Sequence, residues 1–433
     1  MMMLPREIFT DHIKPFLHPE VFFQFVKTWE DDEDMVVVLR WFLKCGLFDP
    51  YHVFQSNWNL LSWACLHNHM GIIDLLLEMK ISLHQMIGTL VYVYDSAPPV
   101  VIDFHMNALD IVCSYNRLGI LKKLMAYNPS VLTSANIHHA FEKNHAEMCE
   151  FLVRQALSLD PKLYLSVCRH NNVRLFQLLR ENGCSITHRY MSGRTLLMYA
   201  CMQECLEIVQ DLLLTGFFDL NEQDEHANTA LMYACQPLSM SVHDKNRKTN
   251  SHVKLQIVNA LVNHGMDVNL QKRSGMTALF IAFRHSYYQI ASYLLENGAN
   301  INMQDHSGWD CLMFASYYGD YQTACLSIKF GIDLNQKNLD GMNALMFACR
   351  YKRRDIFDLI LGKCKIEYLN VQNNIGYTSL MWACVSTPDS YMIQKLVKKG
   401  ADVSLKTIHG STALNLAYEY GMDDDNTLAM LMF

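Results

Sequence analysis

GMNALMFAC, residues 341–349, recurs along the chain with the same spacing of leucine and alanine. Its other copies read GRTLLMYAC (193–201), NTALMYAC (228–235), GMTALFIAF (275–283), GWDCLMFAS (308–316), GYTSLMWAC (376–384) and GSTALNLAY (410–418). The shared leucines are Leu197, Leu231, Leu279, Leu312, Leu345, Leu380 and Leu414, separated by steps of 34, 48, 33, 33, 35 and 34 residues. An alanine lies three positions after each leucine, so both fall on one face of a short helix. The small alanine lets a second, antiparallel helix approach closely. A second signature follows: LLLTGFFDLN, LVNHGMDVN, LLENGANIN, IKFGIDLN and LVKKGADVS. Gly298 and Gly400 stand where that second helix must stop. Gly308 and Gly341 suit the tight turn that reverses the chain before the next unit. One such unit cannot cover its own apolar face, so neighbours must stack to supply a core.

This combination resembles the ankyrin repeat, whose pattern is D-x-x-G-x-T-P-L-H-x-A, then a leucine-rich helix and G-A-D-V-N. The resemblance covers 191–433 in seven copies. It implies an all-α ankyrin-repeat solenoid of stacked helix-turn-helix units with short β-hairpin turns. The family's T-P-L-H reads T-A-L-M or N-A-L-M here, so the histidine that links neighbouring repeats is missing at Met198, Met232, Met313, Met346 and Met381. Methionine at these positions is expected to pack, which accounts for part of the methionine count of 26. Asp310 and Asn343 replace the threonine and are expected to weaken those turns. Asn269, Asn302 and Asn335 match the hairpin asparagine that, by the same resemblance, some cytosolic dioxygenases hydroxylate.

Weaker copies lie upstream. Residues 57–82 and 106–132 each fit one repeat, and 137–155 and 163–186 read as helix pairs without the hairpin. Three segments result: 1–50, a helical cap or F-box-like segment; 57–186, degenerate ankyrin-like units with a hairpin insertion near 88–104; and 187–433, ankyrin repeats with a loop insertion at 236–252. The apolar runs 89–95 and 100–104, joined by SAPP, are the hairpin signal. The insertion 236–252 accounts for the step of 48, is polar, and is expected to be a mobile loop. Leu4, Pro5, Glu7, Ile8, Phe16, Leu17, Pro19, Val26 and Trp29 loosely resemble an F-box, which would imply docking on the adaptor subunit of a ubiquitin ligase. The alternative is an amphipathic cap over the first repeat. EDDED (30–34) reads as a solvated acidic turn.

Of 433 residues, 51% are hydrophobic and 18% charged, which argues for a folded chain. Lys and Arg number 36 against 43 Asp and Glu, a net charge of −7, which disfavours broad nucleic-acid or anionic-membrane binding. No apolar run is long enough for a membrane span. The N-terminus lacks a secretory pattern, so a cytoplasmic location is expected, in a host cytoplasm if the chain is a translocated effector. Five of the 14 cysteines close an Ala-Cys pair (Cys65, Cys201, Cys235, Cys349 and Cys384) and read as small buried apolar residues, not disulfide partners.

Phosphate-binding glycine loops, H-E-x-x-H, G-x-S-x-G and paired C-x-x-C are absent from the sequence. Cys65 with His67 and His69, and His145 with Cys149, are the nearest approaches to a metal site or thiol nucleophile. Neither cluster supplies four ligands, so no metal, cofactor or catalytic residue is assigned. A thiol-dependent enzyme within 1–190 remains an alternative. The register of ankyrin-like stacks assigns contact residues to hairpin tips and first-helix ends: Arg273, Met276, Arg284, His285, His306, Trp309, Tyr317, Tyr318, Leu339, Met342, Arg350, Tyr351 and Tyr377. Trp, Tyr and Arg dominate interface hot spots. Adjacent units would align them in one concave groove holding a protein partner. Tyr199, Tyr233, Phe314, Phe347 and Trp382 directly precede the shared alanine and read as an inter-helix core stripe. Arg350, Lys352, Arg353 and Arg354 read as a basic patch or a solvated helix end. The expected function is a non-catalytic, monomeric interaction scaffold. The pattern resembles host-directed effectors of intracellular bacteria or large viruses as well as eukaryotic adaptors; an F-box-type substrate adaptor is the rival.

Overall fold

Each first helix of the seven repeats in 191–433 begins on a side chain that accepts a hydrogen bond from the amide three residues on. Thr195, Thr229, Thr277, Thr378 and Thr412 do so at 3.2–3.3 Å. Asp310 and Asn343 do so at 2.7 and 2.9 Å. The cap itself is kept at Asp310 and Asn343, whose oxygens reach the N-terminal amides at least as closely as a threonine hydroxyl. The same device opens helices further upstream, where Asn59, Asn107 and Thr133 are the caps.

The computed structural model describes residues 32–44, 48, 49, 52, 59–79, 91, 92, 105–128, 132–156, 158–216, 219–237, 250–385 and 387–432. The chain divides into two compact units, Met1–Ile186 and Thr187–Phe433. In the first unit the helices are α1 (Asp32–Lys44), α2 (Leu60–His67), α3 (Met70–Glu78), α4 (Ala108–Ser114), α5 (Leu118–Tyr127), α6 (Ser134–Glu142), α7 (Ala146–Gln155), α8 (Leu163–His170) and α9 (Val173–Glu181). They form four helix pairs from α2 onward. The first helices α2, α4, α6 and α8 pack in succession, and α1 packs on α3. Leu39, Phe42 and Leu43 of α1 are buried, and Arg40 pairs with Glu78 at 2.7 Å. Asp32 to Asp34 belong to the first turn of α1, so that part of EDDED is helix, not turn. The F-box-like segment 4–29 lies outside the described residues.

Between α3 and α4, β1 (Val91–Tyr92) pairs antiparallel with β2 (His105–Met106), Val91 opposite Met106. The second strand falls after the expected run 100–104, which lies outside the described residues. Cross-ties join neighbouring pairs: Arg117 Nη2 donates to the Leu66 carbonyl (3.0 Å), His145 Nε2 to Ser114 (2.8 Å) and His170 Nε2 to Glu142 (2.8 Å).

The second unit contains α10 (Leu196–Met202), α11 (Leu206–Thr215), α12 (Ala230–Ala234), α13 (Ser251–Asn263), α14 (Ala278–Arg284), α15 (Tyr288–Glu296), α16 (Cys311–Tyr318), α17 (Tyr321–Lys329), α18 (Ala344–Arg350), α19 (Arg354–Lys363), α20 (Ile366–Leu369), α21 (Ser379–Cys384), α22 (Ser390–Lys398), α23 (Ala413–Glu419) and α24 (Asp425–Met432). Second helices stack on second helices, with α11 against α13, α13 against α15 and α15 against α17. Met198, Met232, Met313, Met346 and Met381 are buried in this core, as are Cys201, Cys235, Cys349 and Cys384; Cys65 is buried within the first unit. Ser251 and His252, counted within the insertion, instead open α13, and 238–249 lie outside the described residues.

With the linking histidine gone, amide side chains join the repeats. Gln271 Nε2 donates to the Gly275 carbonyl of its own finger and to Gln304 of the next. Gln304 does the same to Gly308 and Lys337, and Gln372 to Gly376 and Lys406. Asn221, Asn269, Asn302 and Asn370 accept from Asp267, Asn300, Asp333 and Asp402 amides at 2.7–2.8 Å. The fingers also touch through backbone, His306 N donating to Ser274, and Leu339 N to Ser307.

Candidate protein-binding surface

Fingers and first-helix ends place one aromatic array across four repeats of the second unit. Asp305 anchors the finger before α16 by accepting from the amides of Ser307 and Trp309, both at 2.9 Å. The indole of Trp309 then lies 4.5 Å from the Phe347 ring and 5.5 Å from Tyr317. Tyr317 continues to Tyr351 (4.5 Å) and Tyr318 (4.8 Å), and Tyr318 to Phe314 (4.4 Å). Phe314 reaches back to Phe280 at 5.4 Å. Arg350 lies over Trp382, which packs on Tyr377 at 4.7 Å. The tilted and edge-on ring geometries are those favoured by aromatic quadrupoles.

The surface residues and the presumed core stripe are therefore one continuous structure. Phe347 and Trp382 form its buried floor, at 4% and 8% exposure, while Phe314 is half-buried. Tyr199 and Tyr233 belong elsewhere: Arg194 lies over both rings, and Tyr233 donates its hydroxyl to buried Asp224 at 2.6 Å. Spacing along one strand of sequence separated these two sets of residues; packing between repeats joins them.

Of the residues assigned by register, Arg273, Arg284, His306, Tyr318, Leu339 and Arg350 are exposed. Met276, His285, Trp309, Tyr317, Tyr351 and Tyr377 are half-buried. Met342 is a correction: it is 3% exposed, and its amide is taken up by Asn338 Oδ1 at 2.8 Å, so it faces no partner. The basic run is likewise divided. Lys352 donates to the Ala383 carbonyl, Arg353 to Tyr317 and Arg354 to Asp389, which leaves Arg350 on the array. Burial and the neighbouring Arg284 charge hold the Lys272 and His285 pKa values below their usual ranges.

The thiol and histidine candidates serve packing. Cys65, Cys113, Cys149, Cys168 and Cys184 are buried. Burial raises the thiol pKa throughout this set where a shift is resolved, to about 12 for Cys149 and about 11 for Cys184, which disfavours the nucleophilic thiolate. His67 and His69 flank the Trp63 indole, each 4.8 Å away, and His145 is engaged by Ser114. Among the described residues no three His, Cys, Asp or Glu side chains form a metal-holding group, and no helix is long and apolar enough to cross a membrane.

The ankyrin-repeat family model (three copies) matches residues 163–240, 248–305 and 312–407, and a second model (many copies) matches 286–326. The first match begins at 163, within the stretch the sequence assigned to degenerate units. An ankyrin repeat protein of Acanthamoeba polyphaga mimivirus is 28% identical over 79 residues, 18% of this chain and 76% of that relative. An ankyrin repeat domain from Acinetobacter baumannii, solved by crystallography, is 24% identical, with a TM-score of 0.40 over 47% of this chain and 98% of its own.

Proposed function

The chain belongs to the ankyrin repeat family, a family of protein-interaction modules, and from that premise we propose that it is a non-catalytic scaffold gripping a protein partner on the aromatic array from Phe280 to Trp382. One observation carries this reading: Trp309, Tyr317, Tyr318, Tyr351 and Arg350, continued through Trp382 to Tyr377 and drawn from three repeats, form an unbroken chain of ring and guanidinium contacts on the finger side. Tyr318 presents 61% of its surface to solvent and Leu339 72%, although neither is needed by the repeat framework. Aromatic and arginine side chains on a rigid frame lose little entropy on binding, so a larger share of contact energy appears as affinity.

The test is capture of a partner by the intact chain, compared with Trp309→Ala and Tyr318→Ala. Both substitutions are expected to weaken capture by about tenfold or more. Circular dichroism melts identify any variant that has lost its fold. Capture unchanged by both folded variants would remove the array from the partner site.

A further inference from the structure

Five fingers of the second unit close on the same device. Asp224, Asp305, Asn338, Asn373 and Thr407 each accept, through one side-chain oxygen, from the amides two and four residues ahead. At the equivalent position the finger before α14 carries Lys272, which has no acceptor to offer. The backbone there is nevertheless the same. Lys272 N donates to Met276 O at 3.0 Å and Gly275 N to Lys272 O at 2.7 Å, as Asp305 N does to Trp309 O and Gly308 N to Asp305 O. Among the described residues, the amides of Ser274 and Met276 donate no hydrogen bond. (Tyr190, at the first finger, also departs from the pattern, but packs its ring on Tyr199.)

The carboxylates of the two flanking fingers are held in their own turns, Asp224 by the His226 and Asn228 amides and Asp305 by the Ser307 and Trp309 amides, while the cations nearest the two open amides are not paired with them. Arg273 follows Lys272 on the finger and is exposed, and Arg284 and His285 end α14. Lys272 and His285 both feel the Arg284 charge, so finger and helix end lie within electrostatic reach. None of these four has an ion-pair partner among the described residues. Buried Lys254, which also acts on His285, is by contrast offset by Glu204 at 3.5 Å. Segment 238–249, in the preceding repeat, carries Asp244 against Lys245, Arg247 and Lys248, so its sequence brings no anionic excess. Arg284 at a helix C-terminus is locally favourable. Lys272 is not, since it forfeits two turn hydrogen bonds. Departures from a local rule of this kind mark positions held for function.

Resting on the scaffold reading above, we propose that the Lys272–Met276 finger, together with Arg284 and His285, is the docking point for a carboxylate-bearing segment of the protein partner. An incoming carboxylate takes the role that the Asp305 side chain has in the next finger, accepting from the two open amides. Backbone amides in a turn, flanked by cations, form an anion-binding concavity. The charge is local, since the chain as a whole carries −7 and repels anions at long range.

The probe is a fluorescein-labelled hexaglutamate peptide titrated with the full chain at low salt, with hexalysine as control. Saturable binding of hexaglutamate alone is expected, weakening as salt is added. Lys272→Asn and Arg284→Gln should each weaken it by about tenfold, and Arg284→Lys by no more than about threefold. Lys272→Asn also restores the turn acceptor, so it should melt higher while binding less, a combination that misfolding cannot produce. No binding by the native chain, or native-like binding by both Lys272→Asn and Arg284→Gln, overturns the proposal. Trp309→Ala should leave hexaglutamate binding intact. If partner capture needs Trp309 but hexaglutamate is not held, the anion site alone fails; the reverse result removes only the aromatic array.

Discussion

The guanidinium of Arg350 lies over the indole of Trp382, 4.4 Å from its centroid, and so joins the end of α18 to the next repeat. Trp382 is nearly buried, which leaves the cation over a largely desolvated ring. Arg350→Ala is expected to cost about 1 kcal/mol of unfolding free energy. Arg350→Lys should recover part of that, because an ammonium keeps the charge but loses the planar stacking. Urea unfolding of the three proteins measures both effects.

Gln304 donates one amide group to two repeats at once, to Gly308 and to Lys337. Gln304→Ala strands both carbonyls and should destabilise by about 1–3 kcal/mol. Lys337 stands at the same register one finger later and interrupts the ladder. Lys337→Gln should therefore extend it towards Gly341 and raise the melting temperature. Thermal melts of the pair would show opposite shifts; a fall in both would refute the ladder.

Asp310 caps α16 from a site that is 1% exposed, and burial pushes its carboxyl up to about 7 from the ordinary 3.8. Between those values the folded chain holds a proton that the unfolded chain has released. Its contribution to stability is therefore present at low pH and is lost as pH rises through that window. Asn343 performs the same capping without a charge. Asp310→Asn is expected to stabilise by on the order of 1–3 kcal/mol at about pH 8, with the gain vanishing below about pH 4. Melting curves across pH check the sign, and a gain that grew on acidification would contradict it.

Gly308 adopts φ +77°, and a Cβ built there would lie 2.8 Å from the Asn338 Cα of the next finger. Backbone cannot yield as a flexible side chain does. Gly308→Ala should cost about 2 kcal/mol or more, combining the left-handed penalty with the overlap. Gly183 has a similar φ and nothing within 4 Å. Gly183→Ala should cost only the conformational part, and the difference between the two variants isolates the contact between fingers.

The period of Leu197 through Leu414, and the alanine three residues after each, were enough to place the first helices, the buried methionines and the Ala-Cys thiols, because a helix face is a local property of spacing. Capping by Asn59, Asn107 and Thr133 follows the same local rule but is harder to read from the residues, because those copies lack the glycine that stands two positions before the cap in most later repeats. The exposure of Leu339 and the burial of Met342, three residues apart on one finger, could not be separated by register, because register alone does not say what covers each position.

What the sequence determined by itself was the repeat: which residues face inward within each helix pair, and where each pair turns. What only the tertiary structure decided was everything shared between repeats: the glutamine ladder that replaces the missing histidine, the merging of Phe347 and Trp382 with Trp309 and Tyr351 into one array, and the division of the basic run. Those contacts join residues about one repeat apart in the chain, and their partners are chosen by how neighbouring units pack, which no spacing within a single unit records.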